Sequence, residues 1–161
     1  NQQAKNDSPG VAILKGHTAY RPLQDDLAPK RPGLPPEILT WTDPQQLADY
    51  RAEIATLCED LDFLVAAHHW GYKTEILDYQ IEIAHAAIDS GADAVIGHGP
   101  HFALGTELYK CKPIFYGACN LTFNLGHSDA HLHWIGYFAT IKSDTDGIGE
   151  QCVWTLQRPN K

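Results

Sequence analysis

Two apolar runs that each end in histidine constrain this chain most. Val65-Ala66-Ala67-His68-His69-Trp70-Gly71 closes the first, and Ala94-Val95-Ile96-Gly97-His98-Gly99-Pro100-His101 closes the second. Short continuous apolar runs of this kind read as buried strands of a parallel sheet. Between them, Ile76 to Ser90 carries Ile76, Tyr79, Ile83, Ala87 and Ile88 at helical spacing, and Gly91 suits the position just past the helix end. A strand, a helix and a second strand in this order form a right-handed crossover unit of an α/β protein. Ligands in such sheets bind beyond the carboxyl ends of the strands, where both histidine groups fall.

The elements before this unit extend the pattern. Val11-Ala12-Ile13-Leu14 reads as a short buried strand. Residues 15–43 then hold Pro22, Pro29, Pro32, Pro35 and Pro36, and are expected to form one long Pro-rich loop, with His17, Tyr20 and Arg21 at its start. Asp43 or Thr42 caps a following helix and Pro44 suits its first position. Leu47, Tyr50, Ile54, Leu57 and Cys58 make its apolar face, and Leu61 to Ala67 is the strand after it.

Later segments are more antiparallel in character. The stretch from Phe102 to Lys110 is ambiguous, and Pro113 to Tyr116 reads as a strand. Ile135 to Ile141 and Gln151 to Gln157 read as two strands joined through a turn at Asp144-Thr145-Asp146-Gly147. The fold class expected is α/β.

Charge narrows the partners. The 161 residues have a formal net charge of -8, so no nucleic acid is expected, and an anionic lipid surface is disfavoured. No apolar run reaches the ~18 residues that span a bilayer. No targeting signal is visible, which leans toward the cytoplasm, and the absence of Met predicts that the sequence is not a complete translation product. Cys58, Cys111, Cys119 and Cys152 form no C-x-x-C pair, so a zinc ribbon or thioredoxin-type motif is not expected. Buried thiols, or two disulfides in an exported protein, are both open. Neither a Gly-rich phosphate loop nor a G-x-S-x-G elbow is present.

Histidine chemistry is therefore the main candidate. Gly99 and Pro100 allow a tight turn, so His98 and His101 can face one point as metal ligands or acid–base groups. The alternative is one ring on a backbone carbonyl and the other in solvent. His69 belongs to the same candidate site. His68 must point the opposite way along a strand and is expected to pack. Trp70, Cys119 and Asn120 are candidate substrate contacts near strand ends, although Cys119 also suits a small buried thiol. His127, His131 and His133 suit a solvated loop as well as a ligand set. Glu75, Asp78, Glu82 and Asp89 read mainly as the outer face of their helix.

The motifs His69-Trp70-Gly71, Gln80, Ala87 to His101, Tyr109 to Tyr116 and Asn120 together resemble the CapA family of poly-γ-glutamate capsule synthesis proteins, within the calcineurin-like metallophosphatase superfamily. The likeness runs from about Leu61 to Asn124. It implies a metallophosphatase-like α/β sandwich, two mixed sheets flanked by helices, of which residues 1–161 would be the C-terminal part of one domain. It further implies a pocket lined by His69, His98 and His101 that holds divalent metal (Mn, Fe or Zn) and acts on a peptide or anionic polymer. The reaction implied is metal-assisted hydrolysis or transfer on a phosphoester or amide-linked polymer. A metal-independent peptide epimerase using histidine acid–base chemistry and a non-catalytic polymer-binding module are the alternatives. Two departures stand out: Gly99 where the family usually has a second histidine of His-His-Pro-His, and Gly117-Ala118-Cys119-Asn120 where it usually has Ser-Leu-Gly-Asn. The early Asp and Asn-His pair of the family's N-terminal half is not found, so that half is expected as a missing partner.

Overall fold

A computed structural model describes residues 3–22, 33, 35–72 and 74–118 with their side chains, and four further strands between residues 136 and 157 by their backbone. The order is β1 (Gly16–Arg21), β2 (Glu37–Thr42), α1 (Pro44–Glu59), β3 (Val65–His69), α2 (Asp78–Asp89), β4 (Ala94–His98), β5 (Thr106–Tyr109) and β6 (Lys112–Phe115). Then come β7 (Gly136–Thr140), β8 (Ser143–Asp144), β9 (Gly147–Ile148) and β10 (Val153–Gln157). The chain is α/β, and this arrangement is consistent with part of a metallophosphatase-like fold.

The central sheet runs β3-β4-β6-β5. β3, β4 and β6 are parallel, and β5 returns antiparallel beside β6. Successive strand residues face opposite sides, so Ala66, Val95 and Ile114 fall on the buried face. Helix α2 covers it with Ile83, Ala84, Ala87 and Ile88, and Ile54 of α1 joins the same core. Ala84, Ala86 and Ala87 are fully buried. Their small side chains let the helix lie close against the sheet, where interiors are close-packed.

The helix ends follow the sequence signals. The Asp43 carboxylate accepts from the Gln45 and Gln46 N–H groups, and Pro44 opens α1. At the far end of α2, Gly91 takes φ +118°, a conformation that glycine adopts at little cost, and Ala92 N–H returns to the Ala87 carbonyl.

Two expectations need correction. Residues 11–14 are not a buried strand: Val11 makes one isolated bridge to Gln3, and Ile13 is half exposed. Nor are residues 15–43 a single loop, because β1 and β2 pair antiparallel from Gly16↔Thr42 to Arg21↔Glu37. All five prolines lie between the two strands, at positions 22 to 36, so none removes a donor from the ladder. The antiparallel character expected near the C-terminus is seen in the β7–β10 and β8–β9 pairs.

Candidate functional site

The register of β3 on β4 builds the site. His69 stands directly opposite His98 in a parallel pair, so both rings leave the same face at neighbouring strand ends. Their Nδ1 atoms are 2.9 Å apart and the rings meet edge to face. Two imidazole nitrogens at this distance share one proton or direct two lone pairs at one cation. Partial burial, then the neighbouring His69, lowers the pKa of His98.

The turns after both strands interlock behind this pair. Trp70 N–H donates to the His98 carbonyl, and Gly71 N–H donates to the Tyr79 hydroxyl at 2.6 Å. Gly99, at φ +120°, lies so close to Trp70 that a Cβ there would stand 2.7 Å from the Trp70 carbonyl oxygen. A side chain at Gly97 would stand 2.2 Å from the Trp70 indole nitrogen. The indole N–H donates to the Tyr116 carbonyl, and Trp70 is buried between His68 and Tyr116. Trp70 therefore has its one polar group engaged inside the protein and holds the turn, while its ring also lines the neighbouring cleft.

His68 faces the other side, as strand alternation demands. Its Nε2 lies 2.9 Å from the Tyr50 hydroxyl and its ring stacks on Trp70. Burial, followed by repulsion from His98, pushes its pKa down to about 4. It is a neutral imidazole at pH 7.

Other expected site residues are placed differently. His101 is exposed, with φ +64°, in the turn beyond Pro100. Among the described residues no three His, Cys, Asp or Glu side chains gather as a metal site, so the set of His69, His98 and His101 is not assembled there. The left-handed backbone at Gly99 and again at His101 turns the chain after His98. Cys119, Asn120, His127, His131 and His133 lie outside the described residues. Cys58 and Cys111 are free thiols.

The histidine pair opens into a cleft of about 950 Å³ between residues 11–18, α1 and β3. His17, His68, His69 and His98 all line it, together with Tyr50 and Glu53. His17 has no assigned role in the sequence reading. Its ring stacks on Trp41, and its Nε2 is 3.6 Å from an Asp43 oxygen. Among the described residues no helix is long and apolar enough to cross a membrane.

The donor pair also bears on metal. Two nitrogens bound at right angles to one ion at ~2.0–2.1 Å stand about 2.9 Å apart, which is the spacing found here. The distance between His69 and His98 therefore admits one shared six-coordinate ion, with the other ligands not among the described residues.

Comparison with known proteins places this geometry in context. The family model "Bacterial capsule synthesis protein PGA_cap" matches residues 2–125. The chain is 39% identical over 67 residues to the PGA biosynthesis protein CapA of Bacillus subtilis, 40% of this chain and 18% of that protein. It is 35% identical over 118 residues to a probable polyglutamine synthesis accessory protein of Mycobacterium tuberculosis, 71% of this chain and 24% of that one. It is 34% identical over 84 residues to an uncharacterized protein of Sinorhizobium fredii, 50% of this chain and 18% of that one. The chain therefore spans about a quarter or less of the length of these relatives. With a family match over most of its residues and the interlocked histidine turns within it, the chain belongs to the PGA_cap family of bacterial capsule synthesis proteins.

Proposed function

We propose that this chain is part of an accessory protein of poly-γ-glutamate capsule synthesis, and that its histidine cleft carries out metal-assisted hydrolysis or transfer on an amide-linked polymer or a phosphoester. The observation that carries this reading is the His69–His98 pair, with Nδ1 atoms 2.9 Å apart at two adjacent strand ends. Its support is chemical: the spacing suits two ligands at right angles on one six-coordinate divalent ion such as Mn or Fe, and is short for tetrahedral Zn. Such an ion, when bound, would polarise a carbonyl or phosphoryl oxygen and lower the pKa of a bound water. The remaining ligands would come from residues outside the described part or from the rest of a longer protein. His101, Cys119 and Asn120 enter this proposal through the family resemblance, with Asn120 orienting substrate.

Within this reading the protein's own residues have distinct tasks. Trp70 and Tyr79 fix the turn that carries His69. The Gly99 turn fixes His98 against it. Preorganisation of this kind is what makes fixed donors effective at a reacting centre.

A second reading keeps the pocket and dispenses with metal. The 2.9 Å contact makes one imidazole a donor and the other an acceptor, and the lowered pKa of His98 favours a neutral base there. That is the acid–base pair an epimerase requires. Elemental analysis with a Mn²⁺ or Zn²⁺ titration separates the readings. Stoichiometric metal that is lost in His98→Ala supports the first. Turnover of a γ-linked glutamate oligomer that survives chelation but not His98→Ala supports the second. Binding of the oligomer with neither metal nor turnover would leave a non-catalytic module and sink both.

A further inference from the structure

We propose that His17, beside Asp43, is a further acid–base residue acting on the polymer in the cleft that His69 and His98 also line. The inference rests on reading the cleft as a substrate site and adds a residue pair to it.

Three observations converge on His17. First, it lines the same cleft as His69 and His98, with its side chain about one-third exposed. Second, it is oriented from two sides: its ring stacks on Trp41 at 5.5 Å between centroids, and its Nε2 faces the Asp43 carboxylate at 3.6 Å. Third, Asp43 is itself anchored as the helix cap. One of its oxygens accepts from the Gln45 and Gln46 N–H groups at the start of α1, and the other faces His17. A base with a carboxylate beside it that is anchored elsewhere is the orienting arrangement of acid–base sites. Strain-free register explains how it forms: Gly16↔Thr42 pairing brings the start of β1 beside the residue that caps α1.

His17 is also tied to the histidine pair. A Cβ at Gly16 would meet the Tyr79 ring at 3.7 Å, so β1 starts beside that ring, and the Tyr79 hydroxyl holds Gly71, two residues from His69. The wall that carries His17 and the turn that carries His69 thus share one support. Glu53 and Tyr50 of α1 are the other ionisable groups that line the cleft from that helix.

In the tautomer with Nε2–H toward Asp43, Nδ1 would carry the lone pair. His17 takes a proton from water as the water oxygen bonds to the scissile amide carbon. It returns that proton to the departing nitrogen as the C–N bond breaks, so the imidazole ends as it began. General acid–base help of this kind contributes ~10²–10⁴-fold.

The test measures release of amino groups from a γ-linked glutamate oligomer, with kcat and KM separated. His17→Gln is expected to lower kcat by about 10²-fold or more while KM stays within about threefold. Asp43→Asn keeps a good helix cap, and is expected to lower kcat too, with the double variant no slower than His17→Gln alone. If His98→Ala abolishes cleavage while His17→Gln leaves kcat unchanged, His17 is structural and this proposal is overturned, with the cleft reading intact. Absence of cleavage by the unaltered chain overturns both.

Discussion

Gly97→Ala is the substitution that most directly probes how the site is held. Gly97 lies in β4 with ordinary strand geometry, so backbone strain plays no part. The difficulty is space. An added Cβ would lie 2.2 Å from the Trp70 indole nitrogen and 2.5 Å from the Tyr116 carbonyl oxygen. It would thus sit on the 2.9 Å hydrogen bond that joins those two atoms. Either the indole stays and the methyl group overpacks the core, at about 1–3 kcal/mol, or the indole moves and leaves a buried donor and acceptor unpaired, at about 1–3 kcal/mol each. The cheaper route sets the expected loss at about 1–3 kcal/mol, which at about 2–4 °C per kcal/mol for a chain of this size lowers Tm by about 2–12 °C.

Urea unfolding followed by tryptophan fluorescence measures this loss, and two comparisons isolate its cause. Gly16→Ala is the control, because its Cβ would meet the Tyr79 ring at an ordinary 3.7 Å and should change stability by less than about 1 kcal/mol. Trp70→Phe removes the indole N–H and the atoms nearest the new methyl. Gly97→Ala should therefore cost much less in the Trp70→Phe background than alone, with a coupling of about 1–3 kcal/mol. Equal cost in both backgrounds, or a loss under about 0.5 kcal/mol in the unaltered chain, would refute the argument that Gly97 exists to admit the Trp70–Tyr116 bond.

Two further outcomes follow from the same surroundings. His68 has a pKa of about 4 in the folded protein against an ordinary value of 6.5. Between these values the unfolded chain takes a proton that the folded one refuses, so stability should fall as pH drops from about 6.5 to 4, by up to about 3 kcal/mol. His68→Gln should flatten that fall; urea midpoints at pH 7 and pH 4.5 measure it, and an unchanged slope counts against a buried neutral His68. Tyr79→Phe removes the acceptor of the Gly71 N–H, and should cost about 1–3 kcal/mol and speed hydrogen exchange at the Gly71 amide, with unchanged exchange there as the contrary result.

The histidine-bearing strands and α2 were legible because each carries a complete local signal. Val65 to His69 and Ala94 to His98 are apolar runs, and Gly91 closes the helix between them with the positive φ its position requires. The β1–β2 ladder was not legible. Its strands read GHTAYR and EILTWT, mostly exposed, and their evidence is each other across a proline-rich connection. β5 was ambiguous for a different reason. Its turn into β6 uses Lys110 and Cys111, both at positive φ, where a two-residue hairpin ordinarily advertises itself with Asn or Gly. At the site, the meeting of His69 and His98 depended on register, which matched because both strands end at the same level. His17 was passed over because its partner Asp43 is brought near only by the hairpin that the sequence hid.

Gly99 makes the separation of the histidines a property of the backbone as much as of the side chains. The resemblance to the family leads to an expected second histidine at this position, and this chain has glycine. The replacement is not a simple loss of an imidazole. With φ at +120°, the turn takes a course that L side chains rarely adopt. A Cβ there would meet the Trp70 backbone at 2.7 and 3.2 Å and His69 Nε2 at 3.3 Å. Trp70 in turn is fixed by its bond to Tyr116, through the space that Gly97 leaves open. The missing side chains at Gly97 and Gly99 thus allow the two strand-end turns to close on each other, and that closure sets His69 and His98 at 2.9 Å. A histidine restored at position 99 would need a different turn, and with it a different spacing of the pair. The spacing of the two imidazoles therefore depends on three linked residues, the two glycines and Trp70.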